Sequence, residues 1–296
     1  MACKPVGATA LKWHKILGHA GPDTIEQLPK HVNGAELTEL AEERAPLKIK
    51  CKICSIAKHT QQISRRRQYE FPATRPFERL AFDIIDLGGP GYNGDRYVMH
   101  FYCTCSKFNF VYTAKNKDKA TVLPTIYKTH RLIKIQFHQD IIFFWSDDER
   151  AFEQTEDTLQ TWCADKGITF ECRAPYTEEQ NGGVKRSGRT LMERSRAIQL
   201  KASLPPSLGL EAFLAAGYAL NRTPNEQLGW KTPYKIAYGK PPSLTHMHVY
   251  GCKTYTLDKR IKKGDKLAPR ALIGHLVGYD STNIYRIWIP SLHKVI

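Results

Sequence analysis

The 296-residue sequence contains no long run of apolar residues. The longest clear run, Ile141 to Trp145, is far shorter than the roughly 20 residues that a membrane-spanning helix needs. The first twelve residues also lack the apolar segment of a secretory signal. These absences argue against a membrane protein and against a secreted protein. We therefore expect an intracellular chain, located in the nucleus or the cytoplasm.

Acidic residues are scarce relative to basic ones. The chain has 29 Asp and Glu residues against 44 Lys and Arg residues, which gives a net charge of +15. A basic excess of this size indicates polyanions as partners, with nucleic acid as the first candidate and a membrane surface as the second. A generally soluble basic surface is the alternative explanation. The length predicts two or three structural units.

The eight cysteines are not expected to form disulfides, because a chain without a secretory signal is expected in a reducing compartment. Cys51 and Cys54 form a C-x-x-C pair, which is typical of metal or redox sites. His14 and His19 lie five positions apart, and a helix would leave both near one face. Two His and two Cys complete a tetrahedral zinc shell, and a closed shell is structural. The alternative is two ordinary buried histidines and two free cysteines.

These four residues define a small N-terminal unit, residues 1–70, with short helices between the two pairs. A unit of this size would lack a sufficient apolar core without a metal ion. We therefore predict a zinc-bound helical unit at the start of the chain.

Residues 73–240 alternate between strand and helix patterns. The order is three strands, a helix, a strand, a helix, a strand and a helix, which predicts an α/β (α+β) fold with helices on the faces of a mixed sheet. Asp83 and Asp147 each lie at the end of an apolar strand pattern. Two such carboxylates and a third at a helix start would form a two-metal site for phosphoryl transfer.

Residues 245–296 show short strand patterns separated by tight turns, from Val249 to Ile289. This spacing predicts a five-stranded SH3-like β-barrel. The sequence stops inside what reads as a final strand, so we expect this unit to be truncated.

Several motifs occur in an order that resembles the integrases of copia-type LTR retrotransposons, and the resemblance covers nearly the whole chain. The motifs are the His/Cys set, Pro76-Phe77-Glu78-Arg79 before Asp83, Trp145-Ser146-Asp147-Asp148, Gln180-Asn181-Gly182 and Asn221-Arg222-Thr223-Pro224.

The resemblance implies a zinc-binding pre-integrase unit, an RNase H-like catalytic core with a mixed five-stranded sheet, and an SH3-like C-terminal unit. It also implies DNA integration by 3′-end processing and strand transfer, with element ends and target DNA as partners of a homo-oligomer. Two Mg²⁺ or Mn²⁺ ions would be held by an Asp-Asp-Glu triad.

Carried over residue by residue, Asp83 matches the first acid of the triad and Asp147 matches the second. Asp86 and Asp148 are the alternatives, and we prefer Asp83 because the Pro-Phe-Glu-Arg segment fits it without a gap. Counted from the Gln-Asn-Gly motif, the family's Glu falls on Lys185. The triad is therefore incomplete.

This departure puts catalysis by magnesium or manganese in doubt. Hard divalent cations need several anionic oxygens, whereas an ammonium group offers only donors and repels the ions. We expect Lys185 to pair with Asp83 and Asp147 and to fill the metal site. Glu193 lies eight residues further on, about 12 Å along a helix, which is too far to substitute. Glu179, in the loop before the helix, is the remaining substitute.

The helix predicted over residues 184–201 is basic, and we expect it to contact a nucleic-acid backbone, with RNA as a further candidate partner beside DNA.

These features together predict an integrase-type enzyme with impaired strand transfer. The alternatives are a non-catalytic nucleic-acid-binding remnant of a transposable element and a ribonuclease acting on hybrids, which needs the same acids. The candidate contact residues are Arg186, Arg189, Arg194 and Arg196.

Overall fold

The computed structural model describes residues 6–38, 49–58, 73–146, 156–172, 182–260, 267 and 269–296. Five residues discussed above, Asp147, Asp148, Glu179, Gln180 and Asn181, lie outside these ranges. Within the ranges, no helix combines the length and the apolar character needed to cross a membrane.

The N-terminal unit is built from short elements around Trp13, which is buried. The first helix begins after Thr9, whose hydroxyl accepts a hydrogen bond from the Lys12 amide. The Trp13 indole donates to the Glu36 carbonyl at 2.9 Å and so ties the first helix to the second strand. The two strands pair in parallel. The elements are β1 (Val6–Ala8), α1 (Ala10–Ile16), α2 (Pro22–Glu26), α3 (Leu28–His31), β2 (Ala35–Leu37) and α4 (Lys52–Ala57).

The middle of the chain forms a mixed five-stranded sheet. Its strands are β3 (Arg79–Asp86), β4 (Tyr97–Cys103), β5 (Asn109–Ala114), β6 (Phe143–Ser146) and β7 (Thr169–Cys172). Their order across the sheet is β5-β4-β3-β6-β7. The β3–β4 and β4–β5 pairs are antiparallel, whereas β3–β6 and β6–β7 are parallel. The predicted RNase H-like sheet is confirmed.

Helices cover both faces of this sheet. On one face, α5 and α6 pack on a core rich in phenylalanine. On the other face, α7 and α8 pack on a second core. The helices are α5 (Lys119–Gln136), α6 (Glu156–Asp165), α7 (Gly182–Ala202), α8 (Gly209–Asn221) and α9 (Pro233–Tyr238).

The alternation of β3 determines where Asp83 points. Phe82 is fully buried in the phenylalanine-rich core, with its ring centroid 4.6 Å from that of Phe101. Because successive strand residues face opposite sides of a sheet, Asp83 faces α7. At Gly188, α7 packs on this face, where a Cβ would lie in ordinary contact with the Ile85 Cδ1, at 3.4 Å.

The C-terminal unit is an antiparallel sheet with the order β11-β10-β9-β8. The SH3-like architecture is confirmed, but the described residues of this unit contain four strands where five were predicted. The strand pattern at Val249 to Cys252 is a turn, in which the Cys252 amide donates to the Val249 carbonyl. Gly251 has a φ of 82°, which lies in the left-handed region, far from the regular β-strand value. The strands are β8 (Lys253–Leu257), β9 (Ala271–Tyr279), β10 (Tyr285–Ile289) and β11 (Lys294–Val295).

Buried contacts join the three units. Arg286 on β10 binds the carboxylate of Glu211 on α8 through two hydrogen bonds of 2.8 and 2.6 Å, and Glu211 is only 2% exposed. The apolar core of the N-terminal unit includes Ala219, Leu244 and Met247. The N-terminal unit therefore packs directly on α8 and on the segment that precedes β8.

Candidate metal centre and nucleic-acid cleft

The four predicted zinc ligands meet in the structure. His14 and His19 come from the end of α1 and the loop after it, and Cys51 and Cys54 from the start of α4. One nitrogen or sulfur atom from each lies within 4.8 Å of all the others. The His14 Nε2 lies 3.2 Å from the Cys54 Sγ, and the His19 Nδ1 lies 3.3 Å from the Cys51 Sγ. This group could hold a metal ion.

The backbone after α1 explains how His19 returns to His14. Gly18 and His19 both have a φ of 62°, and two consecutive left-handed residues reverse the chain direction. The His14 Nδ1–H donates to the Ala20 carbonyl at 2.7 Å, so its Nε2 lone pair faces the cluster. Such an orienting bond to the second ring nitrogen is typical of metal-binding histidines.

Burial sets the protonation of these ligands. It lowers the pKa of His14, and it lowers the pKa of His19 to about 3. Both imidazoles are therefore neutral, which is the form that binds metal. Burial also raises the pKa of the Cys54 thiol to about 11. A bound metal ion would replace that thiol proton, because cysteine coordinates as the thiolate.

Arg194 is not on the surface where it was predicted to contact nucleic acid. It is 8% exposed, and its Nη1 donates to the Leu17 carbonyl at 3.3 Å and to the Thr223 Oγ1 at 3.2 Å. It thereby joins the N-terminal unit to α7 and α8. Burial lowers the pKa of this guanidinium to about 10. The sequence did carry a signal, because Arg194 lies on the same helix face as Leu191 and Ile198.

The N-terminal unit also contacts α7 through Arg196, whose Nη1 donates to the Ala57 carbonyl at 3.3 Å. Within the N-terminal unit, the Lys58 ammonium donates to the His19 carbonyl. The Arg196 side chain stays exposed, in contrast to Arg194. Thus α4 borders the part of the molecule in which Asp83 lies.

Asp83 and Lys185 line one open cleft with a volume of about 380 Å³, which we call the α7 cleft. It lies between β3, α4 and α7. Asp83 is half-buried, whereas the side chain of Lys185 is exposed. The lining residues are Ala57, Asp83, Ile85, Lys185, Gly188, Arg189, Met192, Glu193 and Arg196.

Asp86, the alternative first acid, is not among the residues that line this cleft. It lies at the exposed end of β3, where its carboxylate accepts bonds of 3.0 and 2.7 Å from Arg96 and one of 2.8 Å from the Gly88 amide. The bond from Arg96 and the bond from Gly88 hold the pKa of Asp86 below its usual value. This placement favours Asp83 as the first acid.

Glu193 lies in the same cleft as Lys185, two turns further along α7. About 12 Å along the helix from Lys185, it is too far away to substitute directly for the missing Glu. Its presence in the cleft was not predicted. Glu193 also interacts electrostatically with Lys58, which lies at the border with the N-terminal unit.

A buried polar network lies beside the cleft and was missed in the sequence. The Asn109 Oδ1 accepts hydrogen bonds from the His100 Nε2–H at 2.8 Å and from the Ser187 hydroxyl at 2.6 Å. Asn221 bonds to the main chain of Asn109 at 2.8 and 2.7 Å. These residues are at most 8% exposed and join β4, β5, α7 and α8. His100 pairs in register with Asp83, so both side chains lie on the α7 face.

Comparison with known proteins finds one domain model and several relatives that resemble this chain. The model of the retroviral polymerase SH3-like domain matches residues 252–296. Over 293 residues the chain is 28% identical to the retrovirus-related Pol polyprotein from transposon TNT 1-94 of Nicotiana tabacum, covering 96% of this chain and 21% of that protein. The resemblance to copia-type integrases is confirmed.

A second protein to which the chain is similar is the retrovirus-related Pol polyprotein from transposon RE1 of Arabidopsis thaliana. It is 26% identical over 248 residues, covering 84% of this chain and 16% of that protein. The chain therefore spans about a fifth or less of the length of these relatives. Among solved structures, the intasome of simian T-cell lymphotropic virus in complex with the PP2A regulatory subunit B56 gamma aligns at 14% identity. This alignment covers 80% of each chain with a TM-score of 0.47.

Proposed function

We propose that this chain is an integrase-type DNA-binding protein in which strand transfer is lost or strongly reduced. One observation supports this most directly. The ammonium group of Lys185 stands in the cleft that Asp83 lines, at the position where the resemblance requires a glutamate. A non-catalytic nucleic-acid-binding protein is the limiting case of this proposal.

The described part of the cleft does not suit a pair of divalent cations. Its carboxylates are Asp83 and Glu193, and they face the cations Lys185, Arg189 and Arg196. Magnesium and manganese prefer several oxygen ligands close together. Glu193, eight residues from Lys185, is about 12 Å away along the helix. We therefore derive no catalytic step through magnesium or manganese.

The His14, His19, Cys51 and Cys54 group, by contrast, suits zinc well. Imidazole nitrogen and thiolate sulfur are the ligands of structural zinc sites, and four of them close the tetrahedral shell. Bound zinc would cross-link the end of α1 to the start of α4. The ring orientation of His14, fixed by the Ala20 carbonyl, supports this assignment.

DNA is the partner that the exposed cations favour. Arg186, Arg189 and Arg196 have exposed side chains on α7, and such residues contact phosphates without reading sequence. The family resemblance further supports a homo-oligomer acting on element ends and target DNA in the nucleus or cytoplasm. We retain the division into units 1–70, 73–240 and 245–296 as part of this proposal.

A strand-transfer assay tests the proposal. The full chain is incubated with Mg²⁺ or Mn²⁺, a labelled pool of blunt-ended duplexes and a supercoiled target plasmid. A catalytic metal ion contributes several kcal/mol, and each 1.36 kcal/mol is tenfold in rate. We therefore expect Lys185→Glu to join DNA at least about a hundredfold faster than the native chain.

Two variants serve as controls. Lys201→Glu makes the same charge change at an exposed position near the end of α7 and should not raise the rate. Adding Asp83→Asn to Lys185→Glu should abolish the gain. Full joining activity of the native chain, unchanged by Lys185→Glu, would refute the proposal.

A further inference from the structure

Three cations form a stripe along one side of the α7 cleft. Lys185, Arg189 and Arg196 are separated by four and seven residues, so a helix places them on one face. All three side chains are exposed. Because α7 begins at Gly182, the positive end of its dipole lies close to Lys185.

Lys185 inverts the sign of the net charge on the described lining of this cleft. The described lining has three cations and two carboxylates, which leaves one excess positive charge. With a glutamate at position 185 there would be two cations and three carboxylates, which leaves one excess negative charge. The charge of Glu193 is also offset from outside the cleft, because Lys58 lies near enough to interact with it.

The cleft continues along α7 into a second groove of about 420 Å³, with which it shares Met192 and Arg196. The second groove reaches Gln199 and Phe213. From Lys185 to Gln199 the helix rises over fourteen residues, or about 21 Å. This length accommodates several nucleotides of one strand, and site sizes of single-strand binders start at about four. Met192 supplies apolar surface against which a base can pack.

We propose that the α7 cleft binds the phosphodiester backbone of a single nucleic-acid strand directly, with no divalent cation between protein and phosphate. Ammonium and guanidinium groups donate charge-assisted hydrogen bonds to phosphate oxygens, and the arginine fork can do so with two parallel bonds. A divalent cation beside Lys185 would be repelled. This inference rests on the proposed function, since it names the ligand chemistry of the same cleft.

Binding of labelled oligothymidylate to the zinc-loaded full chain, followed by fluorescence anisotropy, tests this inference. We expect the native chain to bind equally well in buffer free of divalent cations and in millimolar Mg²⁺. Lys185→Glu should bind at least about tenfold more weakly without Mg²⁺ and should regain affinity when Mg²⁺ is added. The magnitude of the slope of log affinity against log salt concentration should fall by about 0.7 for each phosphate that the variant no longer binds.

Lys201→Glu is again the matched control, because it makes the same charge change on the same helix outside the cleft lining. Equal weakening by both variants would overturn the inference, as would a tenfold gain in native affinity on adding Mg²⁺. Arg189→Gln provides a second variant, and it too should weaken binding more than Lys201→Gln. A duplex that outcompetes the single strand would overturn the choice of ligand.

The two proposals can fail separately. If Lys185→Glu does not join DNA, the proposed function loses its support, but the binding comparison still decides whether the cleft holds phosphate. If the native chain proves fully active in joining, Mg²⁺ must enter the cleft, and a metal-dependent affinity would be observed in the binding assay as well.

Discussion

The buried network around Asn109 leads to a graded prediction about stability. Ser187→Ala removes the hydroxyl that donates to the Asn109 Oδ1 at 2.6 Å. That oxygen keeps its bond from the His100 Nε2–H at 2.8 Å, so no buried group is left without a partner by this change. The loss is then one ordinary hydrogen bond, and we expect destabilisation of about 1 kcal/mol.

Asn109→Ala is a more severe change, because it removes the acceptor that two donors share. The His100 Nε2–H and the Ser187 hydroxyl both lose their partner inside the protein. The Nδ1 of His100 already has no hydrogen-bond partner among the described residues. At about 1–3 kcal/mol for each buried donor left unpaired, the expected destabilisation is about 2–6 kcal/mol.

Ser195 provides the matched control. It is a buried serine on the same helix, but its hydroxyl donates to the Leu191 carbonyl of that helix at 2.7 Å. Alanine is also the better helix former by a few tenths of a kcal/mol. We expect Ser195→Ala to change the free energy of unfolding by less than about 0.5 kcal/mol, because its hydrogen bond stays within one helix and does not connect two elements.

Urea unfolding, followed by far-UV circular dichroism and tryptophan fluorescence, measures this order. Asn109→Ala should lower the midpoint most, Ser187→Ala less and Ser195→Ala least. In a double-mutant cycle, Ser187→Ala should lose most of its effect when Asn109 is already alanine. Equal midpoints for Ser187→Ala and Ser195→Ala would show that the network does not hold α7 to the strands.

Two further predictions concern histidines. Elemental analysis should find one zinc ion per chain. His14→Ala should lose the zinc and have a lower melting temperature, whereas the exposed His248→Ala should keep both unchanged. A native chain without zinc would contradict this prediction. Burial lowers the pKa of His100 from 6.5 to about 4, so its contribution to stability is complete above pH 6.5. That contribution falls by about 3 kcal/mol as the pH drops from 6.5 to about 4. Between pH 7 and pH 4, the urea midpoint should therefore fall less for His100→Gln than for the native chain. An equal fall for both proteins would contradict the lowered pKa of His100.

Hydrophobic periodicity was sufficient to predict the central sheet. The first helix predicted after the three strands corresponds to α5, Lys119–Gln136. The apolar patterns around Asp83 and Trp145 became the parallel pair β3 and β6. These elements are long or strongly apolar, so their local pattern and their tertiary environment favour the same structure. The segment from Val249 to Cys252 shows the opposite case. Its composition is typical of a strand, but Gly251 adopts a left-handed backbone conformation and the segment forms a turn.

The grouping of the four candidate ligands could be predicted because it depends on residue types and spacing. Two histidines and two cysteines are the ligand types of a tetrahedral zinc site, and the structure brings all four together. Arg194 could not be placed by the same reasoning, since charge alone indicated the surface. Its helix face, shared with Leu191 and Ile198, is what buries it. The Asn109 network depends on hydrogen bonds between residues as far apart as 112 positions, which no local pattern reveals.

The buried contacts that stabilise the described fold do not include the residue at position 185. These contacts involve Arg194, Asn109 and the Glu211–Arg286 pair. Lys185 is exposed, and substitutions at exposed positions usually change stability by less than about 0.5 kcal/mol. A glutamate-to-lysine change there would remove a metal ligand at almost no structural cost. The scaffold would keep its cationic helix face, so that affinity for nucleic acid could outlast the joining reaction.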